Sequence, residues 1–341
     1  MKPKSFIFYF LLFALASCNK KDNSGSGAQL PSNLTINAII NPDNSGNVSF
    51  TAAATNTVLY TFELGDGSGN QLSTTGMLTY KYQSSGTYTV TVVAKSATGQ
   101  TIFKSITISV TVVLSVVWSD EFDTPGLPDA TKWGYDLGAG GWGNNEVQYY
   151  TNRIENASVS GGTLKITLKK ETYLGSQYTS ARLLTRGKYS FKYGRIEARA
   201  KLPAGGGTWP AIWMLGDNIS TVGWPACGEI DVMEHVGNQL NKIYGSLHHP
   251  GHSGGNPDGG TTIISNATSE FHKYAMEWSS TTIKFFVDDV PFYTFGNTSS
   301  LPFNQNFFII LNVAMGGNFG GTVDPAFVSA AMEIDYVRVY Q

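Results

Sequence analysis

Three acids stand close together in Gly228-Glu229-Ile230-Asp231-Val232-Met233-Glu234-His235-Val236-Gly237. In a strand, Glu229 and Asp231 are two residues apart and point to one face. Glu234, five residues from Glu229, falls on the opposite face of a regular strand. One inserted residue, a β-bulge at Val232-Met233, returns it to the face of the other two. Ile230 and one of the Val232/Met233 pair then enter the core while three carboxylates line a cleft. Like charges along one strand repel, so at least one of these carboxyls must hold its proton to unusually high pH. Glycoside hydrolysis uses that division, with one carboxylate ionised and its partner protonated near neutral pH. Retaining enzymes hold the working pair about 5–5.5 Å apart. Four regular strand steps cover roughly 13 Å at about 3.3 Å each. The two glutamates must therefore lean toward each other over a concave sheet, with Asp231 between them. A lone Glu-x-Asp is ordinarily the solvated face of a strand. Here Met233 and Val236 break the alternation, and the Trp224-Pro225-Ala226-Cys227-Gly228 turn brings an aromatic alongside.

Flat apolar surfaces suit a β-linked glucose, one side of which is lined with C–H groups. Trp209 and Trp213, at i and i+4, share a face if the segment is extended, and Trp224 lies across the turn. Each is a candidate sugar platform, with core tryptophan as the alternative. His249 and His252 form a His-x-x-His on a Gly-rich loop, weak evidence for a metal by spacing alone.

The elements that must position these residues are strands. The chain has 341 residues, 14% charged, 13% aromatic and 41% hydrophobic, with 38 glycines and a net charge of −2. Hydrophobic content excludes bulk disorder, and the charge balance gives no basic surface for nucleic acid. Alternation is clear at Tyr88–Val93, Thr163–Leu168, Ile283–Val287 and Tyr336–Tyr340, each bounded by Gly, Asn, Asp or Ser turns. The best helical candidate, Pro325–Met332, is only eight residues long. The expected class is all-β, built from antiparallel sandwiches.

Two lysines precede an apolar stretch, Ser5–Leu15, too short to span a bilayer as a helix but fitting a signal h-region. Leu15-Ala16-Ser17-Cys18 resembles the bacterial lipobox, which implies a signal over 1–17 and lipidation of Cys18. Residues 18–32 read as a polar tether with a reach of about 20 Å. With Cys18 lipidated, Cys227 has no partner for an intramolecular disulfide. The resemblance implies anchoring to a bacterial (outer) membrane, facing the periplasm or the cell surface, and Lys20-Lys21-Asp22 faintly resembles a surface-export signal.

Residues 33–113 carry Tyr60-Thr61-Phe62-Glu63-Leu64-Gly65-Asp66-Gly67 and a Gly-Thr-Tyr hairpin leading into a Thr/Val strand. This stretch resembles a polycystic-kidney-disease (PKD) domain, whose WDFGDG element appears here without its tryptophan. An immunoglobulin-like spacer is implied. The junction Val110–Val117 is apolar and lacks a Gly/Ser linker, so the two domains are expected to abut.

GEIDVMEHVG is similar to the signature of glycoside hydrolase family 16, in its bulged laminarinase form. The similarity extends through GGWGNNEVQYYT (140–151), YGRIEARAKLPAGGGTWPAIWML (193–215), FHKYAMEWSSTTIKFFVDD (271–289), LNVAMGGNFGG (311–321) and EIDYVRVY (333–340), covering 117–341. It implies a concanavalin-like β-jelly roll with a cleft on its concave face. By matched position, Glu229 is the nucleophile, Glu234 the acid/base, and Asp231 the hydrogen-bonding partner that tunes the pair. Trp213, Trp224 and His248 match cleft positions, and Asn144 and Arg182 match residues that bind sugar hydroxyls, with Arg186 a rival to Arg182. The resemblance implies no cofactor for catalysis. It implies a structural calcium held by Asp335, with carbonyls of Glu121 and Gly162. The expected activity is endo-hydrolysis of β-1,3-glucan by a monomer. The alternatives are a mixed-linkage glucanase, a galactan hydrolase, and a non-catalytic glycan-binding surface lipoprotein.

Overall fold

The computed structural model describes residues 29–341. The signal, Cys18 and most of the expected tether lie outside the described residues. Ser32, assigned to the tether from the sequence, already opens the first strand.

The N-terminal unit is a sandwich of two antiparallel sheets. Three strands, Ser32–Ile40, Asn47–Thr55 and Met77–Lys81, face four: Leu59–Glu63, Gln71–Ser73, Gly86–Lys95 and Thr101–Val110. Alternate residues such as Val48, Phe50, Phe62, Val90 and Val92 fill the core between them. The Asp-Gly turn is set by Asp66, whose carboxylate accepts from the Ser68 N–H and hydroxyl and from the Tyr80 hydroxyl at 2.6 Å. The junction is held on both sides. Val113 N–H donates to the Asn44 carbonyl at 2.8 Å, and Ser115 and Gln341 exchange main-chain hydrogen bonds at 3.0 and 3.2 Å. Ser280 Oγ reaches the Asp66 carbonyl at 3.5 Å, so the two units abut. The apolar run does not bury as a block: Val113, Val116 and Val117 are exposed.

The second unit packs a ten-stranded sheet against a seven-stranded one. In the latter, the order is Asp258–Ile263, Lys242–His248, Glu229–His235, Thr208–Gly216, Phe307–Met315, Arg182–Leu184 and Gly134–Asp136. Phe307–Met315 is buried along its whole length. Phe307, Ile309, Leu311 and Val313 enter the core between the sheets, where they meet Met276, Trp278 and Phe285 from the ten-stranded sheet. Phe308, Ile310 and Asn312 therefore face the opposite, cleft side. Among the described residues, helix is confined to the single turns Gly141–Gly143, Ile219–Val222 and Gly317–Gly320. Pro325–Met332 is not a helix. Ser329–Met332 begins the last strand, Ser329–Tyr340, and pairs with Ile166–Lys169, because ladder pairing overrides the weak helical preference of a short Ala-rich segment.

That last strand changes partners midway. Ser329–Ile334 pairs with the Thr163–Tyr173 strand and Val337–Tyr340 with Val116–Asp120. Asp335 sits at the changeover, with Gly162 just before one neighbour and Glu121 just after the other. The Asp335 carboxylate takes the Arg199 guanidinium at 2.7 Å, and Glu121 pairs through both oxygens with Arg338.

Candidate active site

The Glu229–His235 strand is third from one edge of the seven-stranded sheet. Against Lys242–His248 its register runs Glu229↔His248, Ile230↔Leu247, Asp231↔Ser246, then Glu234↔Tyr244. Val232 and Met233 thus oppose the single residue Gly245. This is the bulge the spacing of the acids requires. Gly245 suits the place, because a Cβ there would lie 2.8 Å from the Phe285 ring. Both Val232 and Met233 join Ile230 in the core, not one of the two as the sequence suggested. With Asp231 and Glu234 on the cleft side, the two residues between them share the other face.

Each glutamate carries an indole donor. Trp224 Nε1 donates to Glu229 Oε2 at 3.0 Å, and Trp209 Nε1 donates to Glu234 Oε1 at 3.0 Å. Ser246 Oγ adds a second bond to Glu234 at 3.2 Å. His248 Nε2 lies 3.2 Å from Asp231 Oδ2 and 3.7 Å from Glu229 Oε1. The side chains of Asp231 and Glu229 are 4% and 16% exposed, so Asp231 is sealed beneath a Glu229 that keeps an opening to the cleft.

Burial pushes all three carboxyls above their usual range. For Glu229 the charge of Asp231 adds to the rise, while His248 and Trp224 oppose it. For Asp231 the second cause is the charge of Glu234. Trp209, His248 and Ser246 pull Glu234 part of the way back. Glu229 draws the Asp231 carboxyl part of the way back. A raised folded pKa costs stability as pH climbs from the unfolded value through the folded one. Asp231→Asn is therefore expected to melt a few degrees higher than wild type at pH 7 and no higher at pH 3.5, below the unfolded value of about 3.9. Scanning calorimetry at the two pH values checks this; a variant that melts lower at pH 7 contradicts it.

Away from the acids the floor continues through Trp213, whose Nε1 donates to Asn312 Oδ1 at 2.7 Å. Arg182 stacks between Trp213 and Trp142, its guanidinium carbon 4.7 and 5.0 Å from the ring centres, and pairs with Asp136 at 3.0 Å. Arg186, the rival, is exposed and lies over Phe308. Asn144 Nδ2 reaches Glu146 Oε1 at 3.4 Å. The sequence residues expected in the cleft, Trp209, Trp213, Trp224, Asn144, Arg182 and His248, thus form one continuous line with the three acids.

Three residues of this line were not singled out from the sequence. Glu146 accepts from Gln148 at 2.6 Å and from Tyr150 at 3.1 Å, and Asn312 donates to Tyr150 at 2.9 Å. Burial raises the Glu146 carboxyl, while Gln148, Asn144 and Arg182 draw it back. Trp142 completes the clamp on Arg182. Asn312 left a trace, since it is the one polar residue in the apolar run Phe307–Met315. Glu146 and Trp142 left none outside their matched block.

Comparison with known proteins adds the family. The sequence model of glycosyl hydrolases family 16 matches residues 143–338, and that of the PKD domain matches 33–103. A β-glucanase of Rhodothermus marinus is 51% identical over 242 residues, 66% of this chain and 85% of that protein. The structure of a laminarinase from Rhodothermus marinus superimposes with a TM-score of 0.65 at 49% identity, covering 67% of this chain and 98% of that one. A LamA variant from Z. galactanivorans, in complex with laminaritriose and laminaritetraose, gives 0.62 at 44% identity over 67% of this chain and 99% of that one. Because these matches run through the bulged strand and the strands on either side of it, the chain belongs to family 16 of the glycosyl hydrolases, carried behind a PKD domain.

Proposed function

We propose that the chain is a retaining endo-hydrolase of β-1,3-glucan that works by double displacement. The observation that carries the reading is the bulge. It places Glu234 on the cleft face with Glu229 and Asp231, buried acids whose proton affinities are all raised. In the first step a Glu229 oxygen bonds to the anomeric carbon as the glycosidic C–O bond breaks, and Glu234 gives its proton to the leaving oxygen. In the second, Glu234 takes a proton from water, the water oxygen bonds to the same carbon, and Glu229 departs.

Glu229 suits the nucleophile's place because it opens to the cleft, accepts from the Trp224 indole and lies near the His248 ring, both of which favour its anion. Asp231 beneath it, whose burial and the charge of Glu234 favour its protonated form, can leave Glu229 the carboxylate. Trp209, Trp213 and Trp224 have their N–H groups tied to protein acceptors. Their orientation is fixed before any sugar binds, which reduces the entropy lost on binding. The floor crosses strands from side to side, which suits internal attack on a long chain. The names of the β-glucanase relative and of the bound laminari-oligosaccharides support the substrate class.

Product analysis on laminarin, lichenan, agarose and carrageenan tests the reading. Rapid release of mixed laminari-oligosaccharides is expected. Activity confined to a galactan would overturn the substrate, and silence on all four would overturn the enzyme reading in favour of a binding protein.

Anchoring through Cys18 is proposed on the sequence alone, and so is a structural calcium. Its donor set, one carboxylate from Asp335 and carbonyls of Glu121 and Gly162, is all hard oxygen. No main-chain donor outside the ladders reaches either carbonyl among the described residues. A calcium there would share Asp335 with Arg199 and pin the first strand of the catalytic unit to the last. Melting in EGTA is expected several degrees below melting in calcium. Equal melting temperatures would remove the ion from the account.

A further inference from the structure

His249, His252 and Asp258 lie outside the acid cluster, and no step above uses them. Their ligand atoms, one from each residue, all lie within 4.8 Å of one another. His249 Nε2 is 2.8 Å and His252 Nδ1 3.3 Å from the same oxygen, Asp258 Oδ2. The backbone builds the arrangement. His249 and His252 exchange main-chain hydrogen bonds in both directions, at 2.8 and 2.9 Å, around Pro250-Gly251. Proline presets the first corner, and Gly251, at φ 89°, supplies the left-handed second corner of a type II turn. Both imidazoles are thereby held on one side of a closed turn. Asp258 starts the neighbouring strand, paired with Leu247. The His249 ring is buried against Phe295 and Phe303 at 6.0 and 5.7 Å, and the His252 ring stacks on it at 5.0 Å. His252 keeps 48% of its side-chain surface open.

We propose that His249 Nε2, His252 Nδ1 and Asp258 Oδ2 form a binding site for a divalent transition-metal ion, zinc by preference, beside the edge strand of the seven-stranded sheet. Tetrahedral zinc with bonds of about 2.0–2.1 Å spaces its ligand atoms about 3.3 Å apart; the two imidazole nitrogens already lie 2.8 and 3.3 Å from Asp258 Oδ2, and within 4.8 Å of each other. Two imidazoles and one carboxylate select zinc, nickel or copper over calcium and magnesium. The open side of His252 leaves a fourth position for water. The ion is structural: it ties the Pro250–Pro257 loop to the strand beside His248, whose ring faces Asp231 and Glu229. Binding needs both imidazoles neutral and the carboxylate ionised, and it displaces the protons that hold the three side chains together without metal.

The test is calorimetric titration of the metal-stripped full chain with zinc chloride, and with calcium chloride in parallel, followed by thermal melts. One zinc per chain and a melting temperature raised by several degrees are expected. His252→Ala and Asp258→Asn should each abolish both effects, and Glu229→Gln should keep them. Because His252 is half exposed, metal-free His252→Ala should melt within a degree or two of wild type. Cobalt in place of zinc reads the ligand geometry directly: intense visible absorption marks a tetrahedral site, and it should vanish in His252→Ala. Absence of stoichiometric zinc overturns the proposal, as does zinc that survives His252→Ala. Zinc lost in Glu229→Gln would place the ion on Glu229, Asp231 and His248 and also overturn it.

Discussion

Glu229→Gln is expected to lower laminarin hydrolysis by about 10⁴-fold or more while leaving the protein folded. The substitution keeps the shape of the side chain and its bond to Trp224, but removes the oxygen that attacks the anomeric carbon. What remains is binding and general-acid assistance without a nucleophile, which retains only a small residue of the rate. Folding should gain, since burial already raises the Glu229 carboxyl and the charge of Asp231 raises it further. A variant that is inactive yet melts at or above the wild-type temperature at pH 7 separates chemistry from stability. Glu229→Ala sharpens the assignment, because it opens a space on the α face of the bound sugar. Azide entering there should displace an aryl leaving group from an aryl β-laminaribioside and give an α-glycosyl azide. Proton NMR of the product decides: a β-azide, or no effect of azide, would remove Glu229 from the nucleophile's role.

Glu234→Ala is expected to cost about 10²–10⁴-fold on laminarin, the usual worth of a positioned general acid. The glucan portion that departs from laminarin leaves as an alkoxide unless its oxygen is protonated, whereas a dinitrophenolate leaves without a proton. On an activated aryl laminaribioside, formation of the glycosyl-enzyme should therefore survive. Its hydrolysis should slow, because the same side chain activates water in the second step. Stopped-flow release of dinitrophenol should show a burst followed by a slow steady state. Azide should raise that steady state and give a β-azide, opposite to the product from Glu229→Ala. Equal losses on laminarin and the activated substrate would contradict the role of Glu234.

The pattern of the acids was legible in the sequence because a strand's period is two, so any acid off that period demands a local irregularity. The register slip at Val232-Met233 is that irregularity. The strands at Tyr88–Val93 and Thr163–Leu168 were legible for the same reason. Pro325–Met332 misled because alanines in a short segment carry little preference against a neighbouring ladder. The proton affinities of the acids depend on Trp209, Trp224, Ser246 and His248, which the sheet brings together from two strands and a turn. Only family likeness pointed to His248, and Ser246 was not singled out. Glu146 and Asn312 meet through Tyr150 across a long sequence separation, which no local pattern encodes. The His249-Pro250-Gly251-His252 turn was visible as a spacing, but its third member, Asp258, joins only through the pairing of neighbouring strands.

On this mechanism Glu229 and Glu234 act on opposite sides of one anomeric carbon, at the close spacing a covalent intermediate needs. Proton NMR of laminarihexaose during the first minutes of hydrolysis by the wild-type chain tests it most directly. The new reducing ends are expected to appear as the β-anomer, with the α-anomer rising later by mutarotation. First appearance of the α-anomer would mean that water attacks directly between more widely spaced acids, and would contradict it.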